Sequence, residues 1–138
     1  MSEASLERVD WQWSYDVEAP TERSAEWWAR AVFEDAPTAL RWFVLLGWIA
    51  VLRLRLGPRT ADGYILGWRI ESNATDRFVL GVESAMLSAR LVVTTTPVNA
   101  IHATLLRYDR RRARWTWPAI AWLHKLIIRY LMNRAARR

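Results

Sequence analysis

Two histidines and one mid-strand arginine are the side chains of this sequence best placed to do chemistry. His124 falls on the apolar side of a helical pattern, among Leu123, Ile127 and Leu131. An imidazole there can donate a hydrogen bond to a ligand or act as a general acid or base. It can equally be a core histidine paired to a backbone carbonyl. His102 offers the same chemistry from a segment whose sidedness the sequence leaves open. The two histidines form no HxH or HExxH spacing, so no metal centre is expected. The chain has no cysteine, which excludes disulfides and thiolate metal sites. Arg90 stands among Ala89, Leu91 and Val93. It can hold a carboxylate or a phosphate headgroup, or it can face solvent on a sheet and pair across strands with Glu71 or Glu83. Glu83, at a strand end, is either a functional carboxylate or an ordinary turn charge. There is no paired-carboxylate constellation, no G-x-S-x-G and no Gly-rich phosphate loop. No cofactor is implied.

The elements that must position these residues follow from hydrophobic periodicity. Val9 to Glu18 alternates strictly, with Val9, Trp11, Trp13, Tyr15 and Val17 apolar, as a half-buried strand does. Thr21 can cap a helix running to Glu34, supported by the four-residue spacings Trp27–Ala31 and Trp28–Val32 and stopped by Pro37. Thr38 can cap a second helix from Ala39 to about Leu54, apolar nearly all round, in which Trp42 and Trp48 flank a lid-like segment. Gly57-Pro58 breaks it, and Asp62-Gly63 reads as a turn.

Four strands are then expected. The first has Tyr64, Leu66, Trp68 and Ile70 on one face, and Ser72 to Asp76 turns the chain. In the second, Phe78, Leu80 and Val82 share a face. The third runs from about Ala85 to Thr96, with Leu87, Ala89, Leu91 and Val93 on one side and Ser88, Arg90 and Thr94 on the other. The fourth, Asn99 to Tyr108, is ambiguous: Ile101, Ala103 and Leu105 compete with His102, Thr104 and Leu106 for the inner face. A basic corner, Arg110 to Arg114, leads into a terminal helix that Pro118 can open. Its apolar stripe is Ile120, Leu123, His124, Ile127 and Leu131, widened by Trp122, Leu126, Ile128 and Tyr130. Short turns between strands favour antiparallel pairing, so the class is α+β.

The length of 138 residues fits one domain, with residues 1–8 a polar, mixed-charge tail rather than a secretory leader. The longest apolar run, Trp42 to Leu52, is shorter than the roughly 20 residues of a membrane-spanning helix. A cytoplasmic protein, at most peripheral to a membrane, is therefore expected. Charge is uneven: residues 107–138 carry ten basic side chains and the single acid Asp109, whereas residues 1–106 are mildly acidic. Arg110, Arg111, Arg112 and Arg114 beside Trp115, Trp117 and Trp122 suit transient contact with an anionic membrane surface. Nucleic acid is disfavoured, because the helix that carries the charge is half apolar and no nucleic-acid motif accompanies it.

The element order, together with three stretches, resembles the START-like superfamily of helix-grip proteins, which includes polyketide cyclase/dehydrase and lipid-transport proteins. The stretches are Phe78-Val-Leu-Gly followed by Leu87-Ser-Ala-Arg90-Leu-Val-Val, then Thr104-Leu-Leu-Arg107-Tyr108-Asp109-Arg110, then Trp117-Pro-Ala-Ile-Ala-Trp-Leu-His124-Lys125 onward to Arg134-Ala. They are most similar to an uncharacterised bacterial branch of that superfamily, a domain of unknown function. That branch usually shows His-Asn and then a Gly where this chain has Tyr108-Asp109 and no Gly before Trp115. The resemblance implies a single helix-grip domain over 1–138: a curved antiparallel sheet wrapped around the long C-terminal helix, with a cavity between them. The expected cavity residues are Trp68, Leu80, Leu91, Val93, Leu123, His124 and Ile127, with Arg90 as a headgroup candidate. Noncatalytic binding or transport of an apolar, lipid-like molecule is the expected function. The alternatives are a cyclase/dehydrase-type enzyme using His124 as acid/base, and an interaction module whose core the ten tryptophans fill.

Overall fold

The computed structural model describes residues 9–18, 23–50, 63–65 and 67–137. Strand β1 (Trp11–Glu18) is followed by helices α1 (Ala25–Phe33) and α2 (Thr38–Ala50). Strands β2 (Tyr64–Ile65), β3 (Trp68–Ala74), β4 (Arg77–Glu83), β5 (Leu87–Thr95) and β6 (Asn99–Tyr108) come next, and helix α3 (Arg111–Ala136) is the last element. The strands form one curved antiparallel sheet in the order β1-β6-β5-β4-β3-β2. Helix α3 packs against β1, β6 and α1, and α1 packs against β3, β4 and β5. This is the helix-grip arrangement, class α+β.

The α1 cap is Ser24, not the expected Thr21, which lies outside the described residues. The Trp27 backbone N–H donates to Ser24 Oγ at 3.1 Å, satisfying one donor of the first turn. Ala25, Trp28, Ala29 and Val32 are buried at helical spacing, which explains why nine residues hold as a helix. In α2 the expected cap Thr38 is itself the first helical residue. The expected end near Leu54 and the Gly57-Pro58 break fall outside the described residues.

The single strand expected at 64–71 is instead a tight hairpin. Gly67 has a φ of 90°, open to glycine at little cost, and Ile65 pairs with Trp68 across it. Ile65 therefore shares Trp68's buried face. Beyond Ile70 the register shifts, a bulge at Glu71 that bends an edge of the sheet, and β3 continues to Ala74 rather than turning at Ser72. Strand β5 starts at Leu87, because Ser84 Oγ accepts from the Met86 and Leu87 backbone N–H groups and ties residues 84–86 into a turn.

Pairing settles β6. His102 lies opposite Val93, Thr104 opposite Leu91 and Leu106 opposite Ala89, so His102, Thr104 and Leu106 face inward. Leu105 instead packs with Val79, Val92, Val9 and Ala103 in a small apolar patch on the outer side of the sheet; Val9, expected on the face of Trp11, lies before the start of β1 and packs outward.

Helix α3 begins at Arg111, seven residues before Pro118. The basic corner is thus the first turn of the helix. Met86 C=O accepts from the Asp109 and Arg110 backbone N–H groups and anchors the start, and burial of Ala113 and Trp117 draws the first turns onto the sheet. Pro118 lies inside the helix and removes one backbone bond to the preceding turn. Trp122, Leu126 and Tyr130, expected to widen the inner stripe, are exposed on the outer side.

Candidate functional site

A cavity of about 360 Å³ lies between the inner face of the sheet, α2 and α3. Its wall is made by Trp68 of β3, Leu87, Ala89 and Leu91 of β5, Thr104 and Leu106 of β6, and Trp117, Ile120, Leu123, His124, Ile127, Ile128 and Leu131 of α3. Phe33 and the α2 residues Phe43, Val44, Leu46, Gly47 and Trp48 close it from the other side. Phe43 and Leu46 line the cavity yet are 52% and 65% exposed, so the mouth opens along α2. Trp48 stacks edge-on to Trp68 with centroids 5.4 Å apart, which ties that helix to the sheet.

Apart from the tryptophan rings, the residues of this wall are apolar except for Thr104 and His124. Thr104 Oγ1 lies 2.9 Å from His124 Nε2 and 3.2 Å from His102 Nε2. A hydroxyl carries one hydrogen, so Thr104 donates to one ring and accepts from the other. With both imidazoles neutral, the His102 and His124 Nδ1 atoms are then complementary: when one carries hydrogen, the other is bare. Reversing the chain swaps them.

Burial holds His102 down to about pKa 3, with the neighbouring His124 adding to the effect. Burial, and secondarily the Lys125 cation, bring His124 to about 4. Both rings are therefore neutral at pH 7. Aromatic rings enclose His124: the centroids of Trp117, Trp13 and Trp11 are 5.2, 6.0 and 6.3 Å away.

Three buried polar atoms of this region have no hydrogen-bond partner among the described residues: Trp68 Nε1, Trp117 Nε1 and His102 Nδ1. Such groups carry a desolvation cost that a bonded partner would relieve.

Of the residues singled out from sequence, Trp68, Leu91, Leu123, His124 and Ile127 come together on this wall. Leu80 and Val93 face the same way but are enclosed in the solid core. Arg90 is on the opposite face of β5. Its Nη1 donates to Glu83 at 2.9 Å, and its Nε lies 3.8 Å from Glu71. Glu83 also takes Arg69 at 3.1 Å, and the bonds from Arg69 and Arg90 hold its carboxyl below the usual range despite partial burial. Glu83 is therefore part of an outer-face network. Gly81 makes room for it, since a Cβ there would come within 3.0 Å of Glu71 and 3.1 Å of the Arg90 guanidinium carbon.

Thr104 is not among the site residues expected from sequence; Trp117, expected at a membrane contact, is buried on this wall instead, and the α2 wall is the segment between Trp42 and Trp48 expected to be lid-like. Period two in β6 ties Thr104 to His102 and Leu106, but only strand pairing says that this set faces in. Among the described residues no cluster of ligating side chains could hold a metal ion, and no helix is long and apolar enough to cross a membrane.

No protein-family model matches the sequence, and no curated protein matches it significantly. Among solved structures, the chain is similar to the Mll3558 protein from Rhizobium loti at 13% identity and a TM-score of 0.44, over 93% of this chain and 98% of that one. It is also similar to the di-domain ARO/CYC BexL from the BE-7585A biosynthetic pathway, at 16% identity and a TM-score of 0.43. That match covers 89% of this chain and 45% of BexL, so this chain spans under half the length of the di-domain protein.

Proposed function

We propose that this chain is a START-like binder or carrier of an apolar, lipid-like small molecule, held between sheet and C-terminal helix without chemical change. The observation that carries this reading is the cavity: about 360 Å³, walled by aliphatic and aromatic side chains and open along α2. Apolar ligand surface removed from water there contributes about 25 cal/mol per Å². Thr104 and His124, the polar side chains among the residues of this wall, favour a ligand bearing an oxygen on an otherwise apolar frame.

The His102–Thr104–His124 chain favours a second reading, a cyclase/dehydrase-type enzyme with His124 as acid/base. Its low pKa weighs against this, because a ring with pKa about 4 is a weak base at pH 7. The same ring serves a carrier as a neutral hydrogen-bond partner. The test is titration with a neutral naphthylamine fluorophore. Saturable binding at one site, weakened at least about tenfold in Leu91→Trp, is expected if the cavity takes apolar ligands. Equal binding by both proteins would reject the reading.

A further inference from the structure

We propose that the outward face of α3 docks on an anionic membrane surface, a property that stands whether or not the cavity takes a ligand. Helix α3 is apolar on two opposite sides. Its inner side, with Trp117, Ala121, Ile128 and Leu131, is buried. On its outer side Trp115, Trp122 and Leu126 are 77%, 61% and 51% exposed. With Ala119 they follow spacings of four, three and four, so they form one line along the helix, about 16 Å long at 1.5 Å per residue. The same line continues to exposed Arg111 at one end and exposed Arg129 at the other. An apolar ridge with a cation at each end matches a lipid boundary: rings enter at headgroup depth, and guanidinium groups meet phosphates.

Charge argues for this occupant over others. Helix α3 carries Arg111, Arg112, Arg114, Lys125, Arg129 and Arg134 and no acid. Among the described residues, no carboxylate pairs with Arg111, Arg112 or Arg114, all exposed at the helix N-terminus. Cations there oppose the helix dipole, and Arg110 supplies no side-chain cap. An anionic surface relieves that repulsion. A second copy docked two-fold through the same ridge would instead bring the Arg111 end of one helix against the Arg129 end of the other, setting like charges together.

The experiment is flotation of the full chain with vesicles of phosphatidylcholine alone, or of phosphatidylcholine with phosphatidylglycerol. It would be repeated for Trp122→Glu/Leu126→Glu and for Arg111→Gln/Arg112→Gln/Arg114→Gln, with circular dichroism checking each fold. The wild type is expected to float with the anionic vesicles alone, and less as salt rises. The glutamate pair should abolish binding, and the triple glutamine variant should weaken it by about fivefold per cation removed. Where a variant does not fold, the lipid and salt dependence of the wild type decides. Equal flotation with both vesicle types, or none, overturns the proposal. So does a concentration-dependent dimer in sedimentation velocity that the glutamate pair dissolves.

Discussion

The two faces of the same sheet carry two polar clusters built to opposite rules. On the outer face Arg69, Glu71, Glu83 and Arg90 are cross-linked by short charged contacts, and Ser88 bonds Asp109 and Arg107 at 2.9 and 3.1 Å. On the inner face Thr104 joins two neutral histidines, while His102 Nδ1 and the Trp68 and Trp117 indole nitrogens stay without partners among the described residues. Satisfied groups on the outer face hold strands together. The unpartnered groups on the inner face lie buried around the cavity and carry a desolvation cost instead. A single strand makes the difference, since β5 alternates Leu91 into the cavity wall and Arg90 into the charged network.

Acid should separate the clusters most. The folded-state pKa values of His102 and His124, about 3 and 4, lie below the unfolded value of 6.5. Below 6.5 the unfolded chain binds more protons, so stability is constant above that pH and falls as the pH drops toward 4. By pH 5 the loss should be about 2 kcal/mol per histidine, about 4 for both. Urea melts from pH 8 to 5 measure it, and His124→Gln should remove about half. The outer network depends on Glu83 remaining ionised below the ordinary carboxylate range, so its contribution should fade only below about pH 4.5. A pH-independent stability over 5–7 would contradict the inner assignment.

Arg90→Met is next in size. It strips Glu83 and Glu71 of a buried partner and should cost about 2–3 kcal/mol by denaturant unfolding. Probe affinity should stay within twofold, or about 0.4 kcal/mol. Thr104→Val removes both imidazole bonds while keeping the shape. It should cost about 1–2 kcal/mol and, unlike Arg90→Met, lower affinity for an oxygen-bearing apolar ligand by about tenfold in calorimetric titration. Ser88→Ala, on the outer face, should cost about 1 kcal/mol and leave binding unchanged. Equal effects of Thr104→Val and Arg90→Met on affinity would erase the distinction between the faces.

Much of the fold was legible because period two is unambiguous where one face is apolar. In β1, Trp11, Trp13, Tyr15 and Val17 alternate with exposed Gln12, Ser14, Asp16 and Glu18, and β5 separates its faces as expected. Strand β6 was not legible, because Leu105 is also buried, against Val79 and Val92 on the outer side. Two apolar faces cancel the signal, and Thr104 was hidden with it. The start of α3 was missed because proline is commonest in the first turn, whereas here the buried spacing Ala113, Trp117, Ala121 carries the helix through Pro118. That spacing was present in the sequence. Trp122 and Leu126 of the outward line are expected from sequence in the inner stripe, because hydrophobicity alone does not say which side of a helix is covered.

The most direct measurement of the central claim is mass spectrometry of what the protein carries. The full chain would be isolated without detergent and examined intact under native conditions and after organic extraction, beside Leu91→Trp. A stoichiometric apolar adduct containing oxygen, present in the wild type and absent from Leu91→Trp, is the predicted result. A wild type free of adduct that also fails to take up the naphthylamine probe would contradict the account.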